Sequence, residues 1–195
     1  MEYFDVLNEL GEFTGRVESR DVCHEEGLWH RAIYGFIINE NGDVLLQKRS
    51  KTKKLWPDLW DITAGGHVLT GEFGEQALIR EVKEELGIDI TSDEVKYLVG
   101  STSINEKGNI INKHFNECYL IKKDVDIKDI TLQAEEVSDI KWFSKEEILE
   151  RIDNGYDGLT EKSGPWNFLK KYYEYLNKWF KGGLYYAREE GIMEW

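Results

Sequence analysis

The sequence predicts a mixed α/β domain, and three observations carry that expectation. Residues 31–48 hold two runs rich in β-branched and aromatic residues, joined by the turn Asn39-Glu40-Asn41-Gly42. From Gly74 to Leu86 the apolar period lengthens, with Leu78, Val82 and Leu86 on one stripe and Gly87 placed to stop a helix. Strand-like segments then return before two more helical ones, so strands enclose a helix within one chain.

In chain order, Tyr3 to Ser19 reads as two short extended runs around a Gly11 to Gly15 turn region. Arg31 to Asn39 and Val44 to Lys48 make a hairpin, Ser50 to Asp61 a loop, and Ile62 to Val68 a short extended piece interrupted by glycine. After the helix, Val95 to Ile104, Lys113 to Ile121 and Ile140 to Phe143 read as strands. Ser144, with Glu147 three residues on, has the spacing of a capping box. Pro165 and Gly182-Gly183 bracket a last helix from Trp166 to Lys181. Its stripe of Trp166, Leu169, Tyr173, Leu176 and Phe180 is either a face packed on the domain or a homodimer contact. The expected division is a domain over 1–160, with an extended N-terminal segment over 1–28, and a C-terminal helical extension over 161–195.

Composition narrows the class. The 195 residues are 41% hydrophobic, enough for a core, which excludes a disordered or fibrous chain. Thirty-eight acidic against 25 basic residues leave a net charge of -13, a surface that repels a nucleic acid polymer. Two cysteines suit a reducing compartment, the start MEYFDVLNEL lacks a secretory pattern, and no apolar run approaches a membrane span. The expectation is a cytoplasmic protein with no membrane partner.

The chemistry concentrates between Gly66 and Ile88. At about 100° per residue, Glu81, Glu84 and Glu85 fall on one helix face beside the apolar stripe. Like charges at such spacing repel, and partial burial sharpens the repulsion unless protons or cations intervene. By itself such a helix is more often a solvated acidic surface relieved by Arg80 and Lys83. Gly65, Gly66 and Gly71 mark a loop ahead of it from which Glu72 could fold back. Four converging carboxylates make an all-oxygen site, suited to Mg²⁺ or Mn²⁺.

This segment resembles the Nudix box: G, five residues, E, seven residues, then REUxEExGU with U aliphatic. Gly66, Glu72, Arg80-Glu81-Val82, Glu84-Glu85 and Gly87-Ile88 fill all nine specified positions. The resemblance implies an α/β/α sandwich with a mixed sheet that binds divalent metal and cleaves diphosphate linkages. It implies metal binding by Glu81, Glu84 and Glu85, and a structural Arg80 tying loop to helix through Glu72. The substrate would be a small-molecule diphosphate.

An acidic enzyme needs local positive charge to hold phosphate, and Lys48, Arg49, Lys51, Lys53 and Lys54 place five cations in seven residues. Arg49 is the favoured phosphate ligand because its fork spans two oxygens, with Lys48 and Lys53 beside it. Gly66 and His67 complete the expected substrate contacts. Glu135 and Glu136 are candidates for the proton acceptor. Trp56 and Trp60 are candidates for stacking on a base or covering an apolar tail.

A wider stretch, residues 24–72, resembles the isopentenyl-diphosphate isomerase branch of the same superfamily. That resemblance implies metal binding by His24, His30 and His67. The isomerase's Cys-Gly-His triplet, however, reads Gly65-Gly66-His67, so its catalytic thiol is absent. A hydrolase is therefore the expectation, with the isomerase and a non-catalytic ligand-binding module as the alternatives.

Overall fold

The computed structural model describes residues 1–108, 110–160 and 163–182. Its centre is strand β3 (Trp29–Ile38), the most apolar segment of the chain and paired along both edges. On one edge β8 (Ile110–Lys122) runs parallel to it from Trp29↔Lys113 to Ile38↔Lys122. On the other edge it takes β1 (Tyr3–Leu7), β6 (Ala64–His67) and β4 (Val44–Arg49) in succession, all antiparallel. The β3–β4 hairpin is the one the sequence predicts, closed by Gly42 at φ 84°.

The remaining strands extend this mixed sheet. β2 (Phe13–Ser19) pairs with β1, β5 (Trp60–Asp61) and β9 (Val137–Phe143) with β4, and β7 (Val95–Lys107) with β8. Period-two alternation sorts the core into two layers. Ile33 and Ile37 face helix α2 (Gly74–Leu86) with its Leu78, Val82 and Leu86. Phe36 and Ile38 face helices α3 (Lys145–Asp153) and α4 (Ser163–Gly182), where Ile148, Trp166, Leu169 and Tyr173 are buried. The result is the expected sandwich of helix, sheet and helix.

The α4 stripe packs on the domain at Trp166, Leu169 and Tyr173, while the side chains of Leu176 and Phe180 lie outside the described residues. Trp166 Nε1 donates to Thr160 O at 2.8 Å and Tyr173 Oη to Gly42 O at 2.9 Å, so the helix is held by polar contacts too. Ser144 accepts from Glu147 N at 3.1 Å and starts α3 as its spacing predicts.

The N-terminal segment departs from expectation. Residues 20–26 form helix α1 (Arg20–Glu26), capped by Ser19 accepting from Val22 N and ended by Gly27 at φ 62°. With one buried residue, Cys23, its periodicity is too short to read from sequence.

Gly35 sets how close α2 comes to the sheet. A methyl group there would stand 2.3 Å from Leu78 Cδ1, inside the packed layer. Gly35→Ala is therefore expected to destabilise the protein by about 1–3 kcal/mol through overpacking. Urea unfolding measures it, and an unchanged midpoint would contradict this account of the α2 contact.

Candidate active site

Helix α2 presents its carboxylates at three depths. Glu85 is buried at 6% exposure, the Glu81 side chain is 13% exposed, and that of Glu84 is 55% exposed. The first two lie against strand β6. A Cβ at Gly66 would fall 2.1 Å from Glu81 Oε1, so only glycine leaves room for that carboxylate. Gln47 Nε2 on β4 donates to Glu85 Oε2 at 3.1 Å.

Arg80 organises the corner. Its Nε and Nη2 reach the two oxygens of Glu72 at 3.0 Å each, a bidentate fork. Nη2 also donates to the His67 carbonyl at 3.0 Å, and Nη1 to Glu81 Oε1 at 2.7 Å and Glu84 Oε2 at 3.4 Å. Glu72 Oε2 in addition accepts from Leu69 N at 3.0 Å, which closes the loop before α2. The loop-to-helix tie that the resemblance implies is present. The guanidinium engages both oxygens of Glu72 and reaches Glu81 and Glu84 as well, so three of the four expected carboxylates meet on Arg80.

Burial raises the pKa of Glu81, against the pull of Arg80. Burial first, then the carboxylates of Glu81 and Glu136, push Glu85 up to about 8. One buried and one half-buried carboxylate, both with raised pKa, beside an exposed third, fit a divalent cation by their all-oxygen chemistry. Glu81, Glu84 and Glu85 are the residues that would hold it.

The basic loop is less bare than its sequence suggests. Lys48 pairs with Asp58 at 3.0 Å, Lys53 with Glu136, and Arg49 Nη1 with buried Asp61 at 3.1 Å. Of these three expected phosphate ligands only Arg49 borders the cavity beside β6. That cavity, about 170 Å³, is lined among others by Arg20, His24, Arg49, Trp56, Gly66 and His67. A second of about 210 Å³, with Leu55, Trp56 and Ile110 in its wall, adjoins it. Trp60 instead packs edge-on against Phe143 at 5.0 Å, a core contact. Glu136, engaged by Lys53, is a less open proton acceptor than expected.

Four histidines gather beside the same cavity, and His24, His67 and His114 line it. His24 comes from α1, His30 from β3, His67 from β6 and His114 from β8, each offering one ring nitrogen within 4.8 Å of the others. Phe4 stacks on the rings of His30 and His67 at 4.9 and 4.7 Å. Burial holds His24 and His67 toward the neutral form and lowers His30 to about 4. Sequence reasoning names three of the four. His114 lies 47 residues beyond His67 (114 − 67) with no ligand spacing to mark it, and only the parallel register His30↔His114 brings it in.

Neither cysteine lines this cavity. Cys118 is fully buried on the α3/α4 side of the sheet, where burial raises its pKa to about 12. Cys23 is likewise buried, with its pKa raised to about 11.

A sandwich with a glutamate-bearing loop and helix at the edge of its mixed sheet defines a class of metal-dependent phosphate-anhydride enzymes, and comparison with known proteins agrees. The NUDIX domain model matches residues 28–162, and the chain belongs to that family. An uncharacterized Nudix hydrolase of Listeria monocytogenes is 41% identical over 150 residues, 76% of this chain and 83% of that protein. An isopentenyl-diphosphate Delta-isomerase of Escherichia coli is 28% identical over 169 residues, covering 87% and 89%. The crystal structure of DR0079 from Deinococcus radiodurans shares the fold, with TM-score 0.66 at 24% identity over 87% of this chain and 98% of that one. The chain is thus a Nudix hydrolase by kinship, and the isomerase likeness is the weaker.

The raised Glu85 pKa has a sign that can be checked. The folded protein binds this proton more tightly than the unfolded chain, where the carboxyl sits near 4.5. The contribution is fully present below the unfolded value and is lost as pH rises through about 8. In chelator, between about pH 7.5 and 8.5, above the range in which unfolded histidines titrate, wild-type stability should therefore fall. Glu85→Gln should flatten that slope in urea titrations. A variant slope equal to the wild type's would contradict the assigned burial.

Proposed function

We propose that the chain is a Mg²⁺- or Mn²⁺-dependent hydrolase of a small organic or nucleoside diphosphate, releasing phosphate or a monophosphate in the cytoplasm. One observation carries the reading: Glu85 is buried and Glu81 half-buried against β6 while Arg80 holds the loop that frames them. Repulsion of this kind is tolerated where the site is made to take positive charge.

Each residue then has a task. Glu81, Glu84 and Glu85 hold the divalent ion, which when bound neutralises phosphate oxygens and lowers the pKa of water. Arg80 fixes the helix against the loop through Glu72 and keeps the His67 carbonyl in place. Arg49, itself fixed by Asp61 and by the Leu55 carbonyl at 3.1 Å, offers its remaining donors to the anion in the cavity. Gly66 admits the Glu81 carboxylate close to the backbone because nothing projects from it. Glu84 is the most open of the three to solvent.

The two adjoining cavities favour a small substrate with a charged end and an apolar end. Arg20 and Arg49 mark the charged end, and Leu55, Trp56 and Ile110 the apolar one.

The test is Mg²⁺-dependent release of phosphate or monophosphate across isoprenoid diphosphates, nucleoside diphosphates, nucleotide sugars and thiamine diphosphate. Glu84→Gln with Glu85→Gln should reduce kcat/KM at least about 10³-fold, roughly 4 kcal/mol of transition-state stabilisation. Full activity in the double variant would sink the assignment. Allylic product from isopentenyl diphosphate without phosphate release would establish the isomerase instead.

A further inference from the structure

We propose that Asp61 and Thr160 are positioning residues, which hold the Arg49 guanidinium so that its remaining donors meet the phosphate of the substrate. The inference rests on the diphosphate reading above and adds to it two side chains that act through Arg49.

The carboxylate is the unusual group. Asp61 is 1% exposed, on the two-residue strand β5. Aspartate is almost never buried so completely unless paired, and a buried ion pair returns little net stability because desolvation cancels its attraction. What such a pair does supply is orientation. Asp61 Oδ2 accepts from Arg49 Nη1 at 3.1 Å, while Oδ1 accepts from Thr160 Oγ1 at 3.0 Å and from Ile62 N at 2.9 Å. Both oxygens are committed, so the carboxylate has one orientation to offer. Thr160 is anchored in turn. Its N donates to the Trp60 carbonyl at 2.8 Å, and its own carbonyl accepts from Trp166 Nε1 of helix α4 at 2.8 Å.

Arg49 is gripped at two points. Nε donates to the Leu55 carbonyl at 3.1 Å and Nη1 to Asp61, which takes two of the five N–H donors of a guanidinium and leaves the others for an anion. The side chain is 16% exposed and borders the cavity beside β6. Its backbone is aimed as well. The β4–β9 ladder shifts from Lys48↔Asp139 to Arg49↔Val137, skipping Ser138, whose hydroxyl lies 3.2 Å from the carbonyls of Lys48 and Arg49. Irregularities of this kind re-aim side chains beside active sites.

The same rung of the sheet serves the acidic corner. Asp61 stands opposite Gln47, and Gln47 donates to Glu85. A metal-holding carboxylate and the phosphate-holding guanidinium are thus steadied from facing positions on β4 and β5. Groups held in place before the ligand arrives spare binding the cost of ordering them. Charge by itself predicts the reverse effect, since the negative Asp61 beside Arg49 weakens the pull on an anion. Removing that charge tightens phosphate binding if charge dominates and loosens it if position dominates.

The experiment titrates the full chain calorimetrically with methylenediphosphonate, a non-hydrolysable diphosphate, in excess Mg²⁺. Asp61→Asn should weaken binding about tenfold and Thr160→Val about threefold, with Thr160→Ser close to wild type. In the Arg49→Lys background neither substitution should change the affinity further by more than about twofold, because the group they position is gone. Mn²⁺ affinity without the phosphonate should stay unchanged in both, which separates positioning from general damage. Unchanged or tighter binding in a folded Asp61→Asn, or losses that add in full to that of Arg49→Lys, would overturn the proposal. If Asp61→Asn fails to fold, Thr160→Val decides by the same comparison. A wild type that binds the phosphonate yet hydrolyses no diphosphate sinks the hydrolase reading and leaves this inference standing, whereas one that binds no phosphonate overturns it.

Discussion

The guanidinium of Arg80 is the interaction on which the acidic corner depends. It reaches Glu72, Glu81, Glu84 and the His67 carbonyl at once, so loop, helix and strand β6 share one positive charge. Lysine, a point charge on a flexible stem, could not make those contacts together. Without that fork, Glu81 and Glu85 would face each other's charge with only Gln47 and the Gly65 backbone to relieve it.

Packing and chemistry are joined through glycine at this point. Gly35 admits Leu78 and brings α2 down onto the sheet, and Gly66 admits the Glu81 carboxylate that the approach delivers. The same closeness that buries the apolar stripe also buries two acids. Instability is thus built in locally, and the two core layers on either side of β3 are what make it tolerable.

Much of this was legible in the sequence because its signals are local. The α2 boundaries follow from the stripe and Gly87, and the hairpin from its Asn/Gly turn. What stayed hidden depends on contacts between distant residues. Helix α1 is too short for a period to show. The partners of Lys48, Arg49 and Lys53 come from Asp58, Asp61 and Glu136, and composition alone cannot say that these charges neutralise one another. His114 enters through a parallel strand register, which no spacing rule announces.

His67 belongs to two neighbourhoods through different parts of itself. Its carbonyl serves Arg80, a service any amino acid could render, while its imidazole joins three others across the cavity. The ring can therefore be exchanged without disturbing the backbone bond that steadies the acidic corner.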